Sequence, residues 1–274
     1  MTSLLGIPEL SEARRSILCH RSWWGLPIDP PAIPTLVDLI PHDLLPSEVA
    51  GLLWSLLGRR MPLTVIAPHG GTGKTTLLTA LLSLVPADIA YLLLRGCYEP
   101  FDFVGEPAIV PSQTALLINE ISPHLPEYLW GPAVARALRL SRRGFAIYAT
   151  AHAESVSGLI RMLADPPLRA APQDIASLGT IVEMDAWNDP TAVRRQVAGC
   201  HGLTLARDGR DVEIVALATR RDREAPLLLH PEGIVKWERR TLSPGVPLDE
   251  ETAKRSRLID ELAALLPNLC PGKE

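Results

Sequence analysis

The chain has 274 residues with a formal net charge of −4, and 47% of its residues are hydrophobic while 21% are charged. This composition is typical of a folded globular protein and excludes the high-charge, low-hydrophobicity class of disordered chains. The length allows one large domain with a smaller annex. The slightly acidic total argues against non-specific nucleic-acid binding, because that binding depends on neutralising phosphates.

Cysteine spacing and hydropathy bear on the cellular compartment. The four cysteines are far apart and form no close pair of the kind that metal sites use, which indicates a reduced protein without a cysteine metal site. No apolar run approaches the ~18 residues of a membrane-spanning helix, and the N-terminus lacks the pattern of a secretory signal. We therefore predict a cytoplasmic protein, with peripheral association at the cytoplasmic membrane left open.

Proline spacing separates the first part of the chain from the rest. Residues 1–46 carry enough prolines to prevent long helices, so we predict an irregular, Pro-rich N-terminal annex. Ser47 then begins an amphipathic helix that ends at Gly58. Next, strands alternate with helices, which predicts an α/β fold with a mainly parallel sheet and helices on both faces. The predicted strands are Leu63–Ala67, Ala90–Leu94, Ala115–Ile118, Phe145–Thr150 and Thr180–Met184, and the predicted helices are Thr75–Leu84, Glu127–Leu140 and Glu154–Leu163.

The pattern changes beyond Leu203. Two strand-like runs flank Asp208-Gly209, a dipeptide that is typical of β-hairpins, so we predict an antiparallel hairpin at one edge of the sheet. A last amphipathic helix is predicted to end before Pro267. The predicted domains are the annex (1–46), the main α/β domain (47–240) and the C-terminal helix (241–274).

A glycine-rich loop follows the first predicted strand and leads directly into a leucine-rich helix. This context is the one that a phosphate-binding P-loop requires, since glycines let backbone N–H groups turn around phosphates at a helix N-terminus. Lys74 would reach the β and γ phosphates and Thr75 would ligate Mg²⁺. Pro68 occupies the position of the first glycine, so the loop has one amide donor fewer. We predict an ATP-binding P-loop NTPase whose nucleotide-binding residues are His69, Gly70, Gly71, Thr72, Gly73, Lys74, Thr75 and Thr76.

Two further strands end in residues that can take part in hydrolysis. The apolar run before Asn119-Glu120 would deliver a carboxylate to the carboxyl edge of the sheet, where Glu120 could hold Mg²⁺ through water or orient the attacking water. The strand Phe145–Thr150 runs into His152, which would lie near the same edge. An acidic residue that starts a loop and a structural histidine are the alternatives. The predicted catalytic residues are Lys74, Glu120 and His152.

The order of these motifs resembles the ATPases of type II and type IV secretion and pilus assembly, in particular the branch of tight-adherence pili and type IV secretion. The resemblance covers residues 44–220: the helix at 44–57, the loop at 68–76, the strand Leu116–Ile121, and Ala149–Ser155, which is similar to the family's histidine box. It implies a RecA-like fold, a γ-phosphate-sensing role for His152, and assembly into a homo-oligomer, expected to be a hexameric ring. An inner-membrane platform protein is the implied partner.

The sequence departs from the family pattern at four places. Only Glu99 stands where adjacent acidic residues are expected, Ser122 replaces an arginine, and the spacing from Glu120 to His152 is several residues longer. We also expect the large N-terminal domain to be missing or reduced to about the first 43 residues. Hydrolysis is therefore expected to be slow or to depend on a partner chain, with an arginine from a neighbouring subunit; Arg142 and Arg143 are candidates. A catalytically weak regulatory subunit and a nucleic-acid motor on the same core are the alternative functions, with nucleic acid the less favoured partner.

Overall fold

The computed structural model describes residues 35–190, 192–243 and 245–269. Most of the predicted N-terminal annex, residues 1–34, lies outside the described residues. The described residues form eight strands, and their order in a single sheet is β2-β3-β4-β1-β5-β6-β7-β8. The strands are β1 Leu63–Ala67, β2 Ala90–Leu93, β3 Thr114–Ile121, β4 Ala146–His152, β5 Thr180–Asn188, β6 Val193–Leu205, β7 Val212–Thr219 and β8 Leu228–Leu229.

The type of strand pairing changes once across the sheet, from parallel to antiparallel. Strands β1 to β5 pair in parallel, and β6, β7 and β8 add to the β5 edge in antiparallel pairs. The turn between β6 and β7 contains Asp208-Gly209, with Gly209 in the left-handed region. The predicted α/β fold with a mainly parallel sheet and an antiparallel edge hairpin is therefore confirmed.

Helices cover both faces of the sheet, as predicted. Alternate residues of β1 enter two hydrophobic clusters: Leu63 and Val65 face one side, and Ile66 faces the other. The first face is covered by α1 (Leu36–Leu39), α2 (Ser47–Gly58), α3 (Lys74–Leu82), α7 (Pro231–Thr241) and α8 (Leu248–Leu269), and the second by α4 (Pro132–Ser141), α5 (Val156–Ala164) and α6 (Pro172–Ala176). Short 3₁₀ turns occur at Ile40–His42, Gly96–Tyr98 and Pro111–Gln113.

Some element ends differ from those that the sequence predicts. Helix α4 begins at Pro132, not at Glu127, because proline without an N–H suits the first turn. Helix α8 continues through Pro267 to Leu269, although the sequence predicts an end before this proline. Strand β5 extends four residues beyond its predicted end, because these residues, Asp-Ala-Trp-Asn, do not form an apolar run. The division into three domains stays a prediction.

The last helix packs tightly on α2. A Cβ placed on Gly51 of α2 would lie 2.8 Å from both the amide nitrogen of Ser256 and the carbonyl oxygen of Thr252. Arg59, next to the end of α2, is within ion-pair distance of Glu238 and Glu251, at 3.2 and 2.7 Å. These contacts join α2, α7 and α8.

Of the helices in the described part of the chain, none is long and apolar enough to cross a membrane.

Candidate functional site

The glycine-rich loop connects the end of β1 to the start of α3, as the sequence predicts. Gly71 and Gly73 have φ angles of +74° and +91°, which only glycine adopts easily. A Cβ on Gly73 would also lie 3.3 Å from Cδ of Arg195 and 3.4 Å from Cε of Met184. The loop is therefore built on glycines both because of its backbone geometry and because β5 and β6 approach it closely.

Lys74, the first residue of α3, is almost completely buried. Its Nζ donates a hydrogen bond to the backbone carbonyl of His69 at 3.1 Å and lies 3.9 Å from Oε1 of Glu120. Burial lowers the pKa of Lys74 to about 8. Since a buried ammonium is costly unless it meets negative charge, this position favours an anionic ligand.

Glu120 reaches the site through an irregularity in β3. Ile118 pairs with Ala149 of β4, but Ile121 pairs with Ala151, so β3 has one residue more than β4 over this stretch. Such a bulge bends the strand and redirects its side chains, and bulges are frequent beside functional sites. The carboxylate of Glu120 is buried and lies between two basic side chains, those of Lys74 and His152.

His152 is the last residue of β4. Its Nε2 lies 2.5 Å from Oε1 of Glu120, and its ring also hydrogen-bonds with the backbone of Pro68. Burial lowers the pKa of His152, and the positive charges of Lys74 and His69 lower it further, against the opposing effect of the Pro68 bond. The pKa of His152 therefore lies below the ordinary value of a histidine.

The sheet order determines which groups meet. Strand β4 lies between β1 and β3, so the strand of Glu120 is one strand removed from the strand that leads into the loop. Ala67, at the end of β1, pairs with His152, at the end of β4. The three predicted catalytic residues therefore converge, with the carboxylate of Glu120 in contact with both Lys74 and His152.

A cavity of about 860 Å³ opens over these residues. Its volume lies within the range of small-molecule sites, which is roughly 300–1,000 Å³. All the predicted nucleotide-binding residues from Gly70 to Thr76 line it; His69 is exposed and contributes its carbonyl to Lys74. The polar lining also includes Asn119, Glu120 and His152, and the apolar lining includes Leu39, Leu44, Met184 and Val193.

The sequence does not predict three residues that lie at the site. The ring of His124 packs edge-on against that of His152, with centroids 4.9 Å apart. Arg194 and Arg195 of β6 line the cavity, and Nε of Arg195 donates to the carbonyl of Gly71 at 3.1 Å. Nothing local distinguishes these arginines from other exposed ones. Only the fold of the distant β5–β6 hairpin brings them to the loop.

Other candidates do not reach the cavity. Arg142 ion-pairs with Asp174 at 3.1 Å, and both Arg142 and Arg143 precede β4, whereas the site lies at the opposite, carboxyl end of that strand. Glu99, the only candidate for the acidic motif, accepts hydrogen bonds from two amides of its own loop, those of Arg95 and Phe101, both at 2.8 Å. Glu99 therefore orders its loop, and the cavity lining does not include it.

Comparison with known proteins gives matches in structure only. No family and no curated protein matches the sequence. Among the solved structures, the VirB11 ATPase of the Brucella suis type IV secretion system is 17% identical with a TM-score of 0.37, over 61% of this chain and 62% of that one. The Legionella pneumophila ATPase DotB is 15% identical with a TM-score of 0.38, over 85% of this chain and 61% of that one.

The chain is similar to these two ATPases. It spans about three fifths of the length of each of them.

Proposed function

We propose that the chain binds ATP with Mg²⁺ and hydrolyses it at the mouth of the cavity. The observation that supports this most strongly is the convergence of Lys74, Glu120 and His152 beside a glycine loop at a helix N-terminus. Each of these groups has a separate task in phosphoryl transfer to water. A glycine turn with an incidental lysine would not bring a buried carboxylate and an imidazole to the same point.

The residues present fit a nucleoside triphosphate. Lys74 is a buried cation that donates its hydrogen bond to a neutral backbone carbonyl, and the carboxylate of Glu120 lies 3.9 Å away. Phosphate oxygens would offer its ammonium charged acceptors at hydrogen-bond distance. Backbone amides of residues 69–73 and the N-terminus of α3 would surround the β phosphate. Thr76 would contact the phosphates from the first turn of α3. The apolar side of the cavity, with Leu39, Leu44 and Met184, can accept the base.

The residues also fit Mg²⁺, which prefers oxygen ligands, keeps several waters and would neutralise phosphate charge when bound. Thr75 would hold the ion through its hydroxyl, and Glu120 through a water. Glu120 has a second task, which is to orient the attacking water. Its carboxylate is suited to this because burial and its neighbours Lys74 and His152 hold it in one place.

We assign to His152 the sensing of the γ phosphate. The imidazole contacts the carboxylate that would orient water, and it lies beside the loop that would hold phosphate. A ligand that attracts the imidazole therefore changes the position of Glu120. This contact would link the state of the nucleotide to hydrolysis.

At the level of the assembly, we propose a motor subunit for secretion or pilus assembly. The histidine motif Ala149–Ser155 supports this through its resemblance to the family. Six copies would form a cytoplasmic ring that docks on a platform protein at the inner membrane. Neighbouring subunits in the ring would influence each site, so turnover per subunit should rise with protein concentration.

A regulatory subunit that binds nucleotide but hydrolyses it poorly is the second candidate. The observation that favours it is the position of Glu99, whose carboxylate is bound to two amides of its own loop. The site would then lack one of the carboxylates that the resemblance implies. This chain would in that case act by changing conformation with bound nucleotide.

Two measurements test these proposals. Calorimetric titration with ATP and Mg²⁺ should detect binding in the wild type but not in Lys74→Ala. Lys236→Ala, which removes a lysine from the surface, is the control and should bind ATP as the wild type does. Absence of binding in the wild type would contradict both candidates. Turnover measured over a protein dilution series separates them, because rising specific activity supports the motor and bound nucleotide without turnover supports the regulatory subunit.

A further inference from the structure

Arg195 of β6 lies directly against the phosphate-binding loop. Its Nε donates to the carbonyl of Gly71 at 3.1 Å, and its Cδ lies 3.3 Å from the position that a Cβ on Gly73 would take. The side chain lines the same cavity as Lys74 and is exposed to solvent there. The loop therefore has a second cation beside it, in addition to its own lysine.

The length of the β5–β6 hairpin explains this position. Strand β5 pairs with β1 only as far as Glu183, and then continues to Asn188 beyond the carboxyl edge of the parallel strands. Strand β6 returns alongside this extension and pairs Arg195 with Ala186. The hairpin thus forms a wall on the β5 side of the loop, opposite β4 and His152.

The neighbouring arginines have carboxylate partners, and Arg195 differs from them. Arg194 contacts Asp189 at 3.3 Å, and Arg223 contacts Asp185 at 2.6 Å. Among the ion pairs formed by the described residues, Arg195 occurs in none. Its guanidinium donates a hydrogen bond to the neutral carbonyl of Gly71, which leaves the positive charge uncompensated.

Lys74 and Arg195 each donate a hydrogen bond to a backbone carbonyl of the loop. Lys74 donates to the carbonyl of His69, and Arg195 donates to that of Gly71. A phosphate group in the loop would offer both cations charged acceptors, which bind about twice as strongly as neutral ones. Guanidinium groups are well suited to phosphate because their donors match its geometry.

We propose that Arg195 is a phosphate-binding residue of this site, supplied by the same chain that supplies the loop. On binding of a nucleoside triphosphate, its guanidinium exchanges the carbonyl of Gly71 for a phosphate oxygen. This inference rests on the proposed nucleotide binding and deepens it, because each subunit then brings an arginine to its own nucleotide. Arginines supplied in this way stabilise phosphoryl transfer in other nucleotide hydrolases.

The test compares three substitutions by titration with ATP and with ADP in the presence of Mg²⁺. Arg195→Gln can still donate to the carbonyl of Gly71 but has no charge, Arg195→Lys keeps the charge, and Arg195→Ala loses both. Because a hydrogen bond to a charged group is strong, we expect the Ala and Gln variants to lose about 10- to 100-fold in ATP affinity and the Lys variant to lose much less. Arg221→Ala, an exposed arginine paired with Asp222, is the control for net charge.

The outcomes separate this inference from the function on which it rests. Failure of the wild type to bind ATP contradicts the proposed function itself. Wild-type binding with unchanged affinity in Arg195→Ala overturns the role of Arg195 alone. Affinity restored by Gln but not by Lys also overturns it, because the arginine would then only shape the loop through Gly71. Melting temperatures of all variants, measured without nucleotide, show whether a loss of affinity reflects a loss of folding.

Discussion

The side chain of Lys74 should take up a proton when the protein binds ATP. Burial lowers the pKa of this ammonium to about 8 in the free protein. Bound phosphates would stabilise the charged form and return the pKa to the ordinary lysine value of about 10.4 or above. The pKa is thus lower in the free protein than in the complex, so binding is strongest below pH 8 and weakens as pH rises through 8.

The pKa of about 8 determines how many protons are taken up and how much the affinity for ATP changes with pH. The neutral fraction of Lys74 in the free protein is about 0.1 at pH 7, 0.5 at pH 8 and 0.9 at pH 9, and each complex takes up that fraction of a proton. Affinity for ATP should fall about 10-fold between pH 7 and pH 9, equivalent to about 1.4 kcal/mol. The pKa of His152 is already lowered below this range, so its titration adds little.

Calorimetry in pairs of buffers with different ionisation enthalpies directly measures the number of protons taken up when ATP binds. Titrations at pH 7, 8 and 9 with excess Mg²⁺, which keeps ATP fully ionised, should give the rising uptake described above. Lys74→Arg is the matched control, because a guanidinium remains charged throughout and should bind ATP without uptake. If proton uptake stays near zero at pH 9, or if the affinity for ATP does not change with pH, burial does not lower the pKa of Lys74 to about 8.

Three further predictions concern catalysis, packing and thiol chemistry. His152→Ala should lower kcat at least 10-fold while ATP affinity changes only a few-fold, because the imidazole positions Glu120; equal losses in both would argue against this role. Gly51→Ala should lower the free energy of unfolding in urea by about 1–3 kcal/mol, since its Cβ would strike the backbone of α8. Gly58→Ala meets only the flexible end of a side chain and should cost less; equal costs would contradict the packing argument. Burial raises the pKa of the Cys200 thiol to about 12, so mass spectrometry after iodoacetamide treatment of the folded protein at pH 8 should find it unmodified, and rapid labelling would show that its strand opens.

The parts of this fold that follow from local sequence were predictable. The loop has its strand, glycines, lysine and helix in one continuous segment, so its structure could be read without knowledge of the sheet. The edge hairpin has Asp208-Gly209 at its turn. Strand ends that carry Glu120 and His152 were expected to share an edge, because parallel strands place their carboxyl ends together.

What the sequence could not predict depends on pairing between distant strands. The bulge that brings Glu120 to the site exists only in the register between β3 and β4. The approach of Arg195 to the loop requires β5 to extend beyond β1, and the residues at the end of that extension, Asp-Ala-Trp-Asn, do not form an apolar run. The position of His124 depends on the path of the loop after β3, for which neither periodicity nor turn residues give a pattern.

Steady-state turnover of Glu120→Gln tests whether this cavity hydrolyses ATP, with Glu106→Gln, at an exposed carboxylate outside the cavity lining, as the matched control. We expect Glu120→Gln to bind ATP as the wild type does but to lose at least about 100-fold in turnover, in the range expected for loss of a general base, while the control keeps its activity. Turnover in Glu120→Gln equal to that of the wild type would show that this carboxylate does not act in hydrolysis at the cavity.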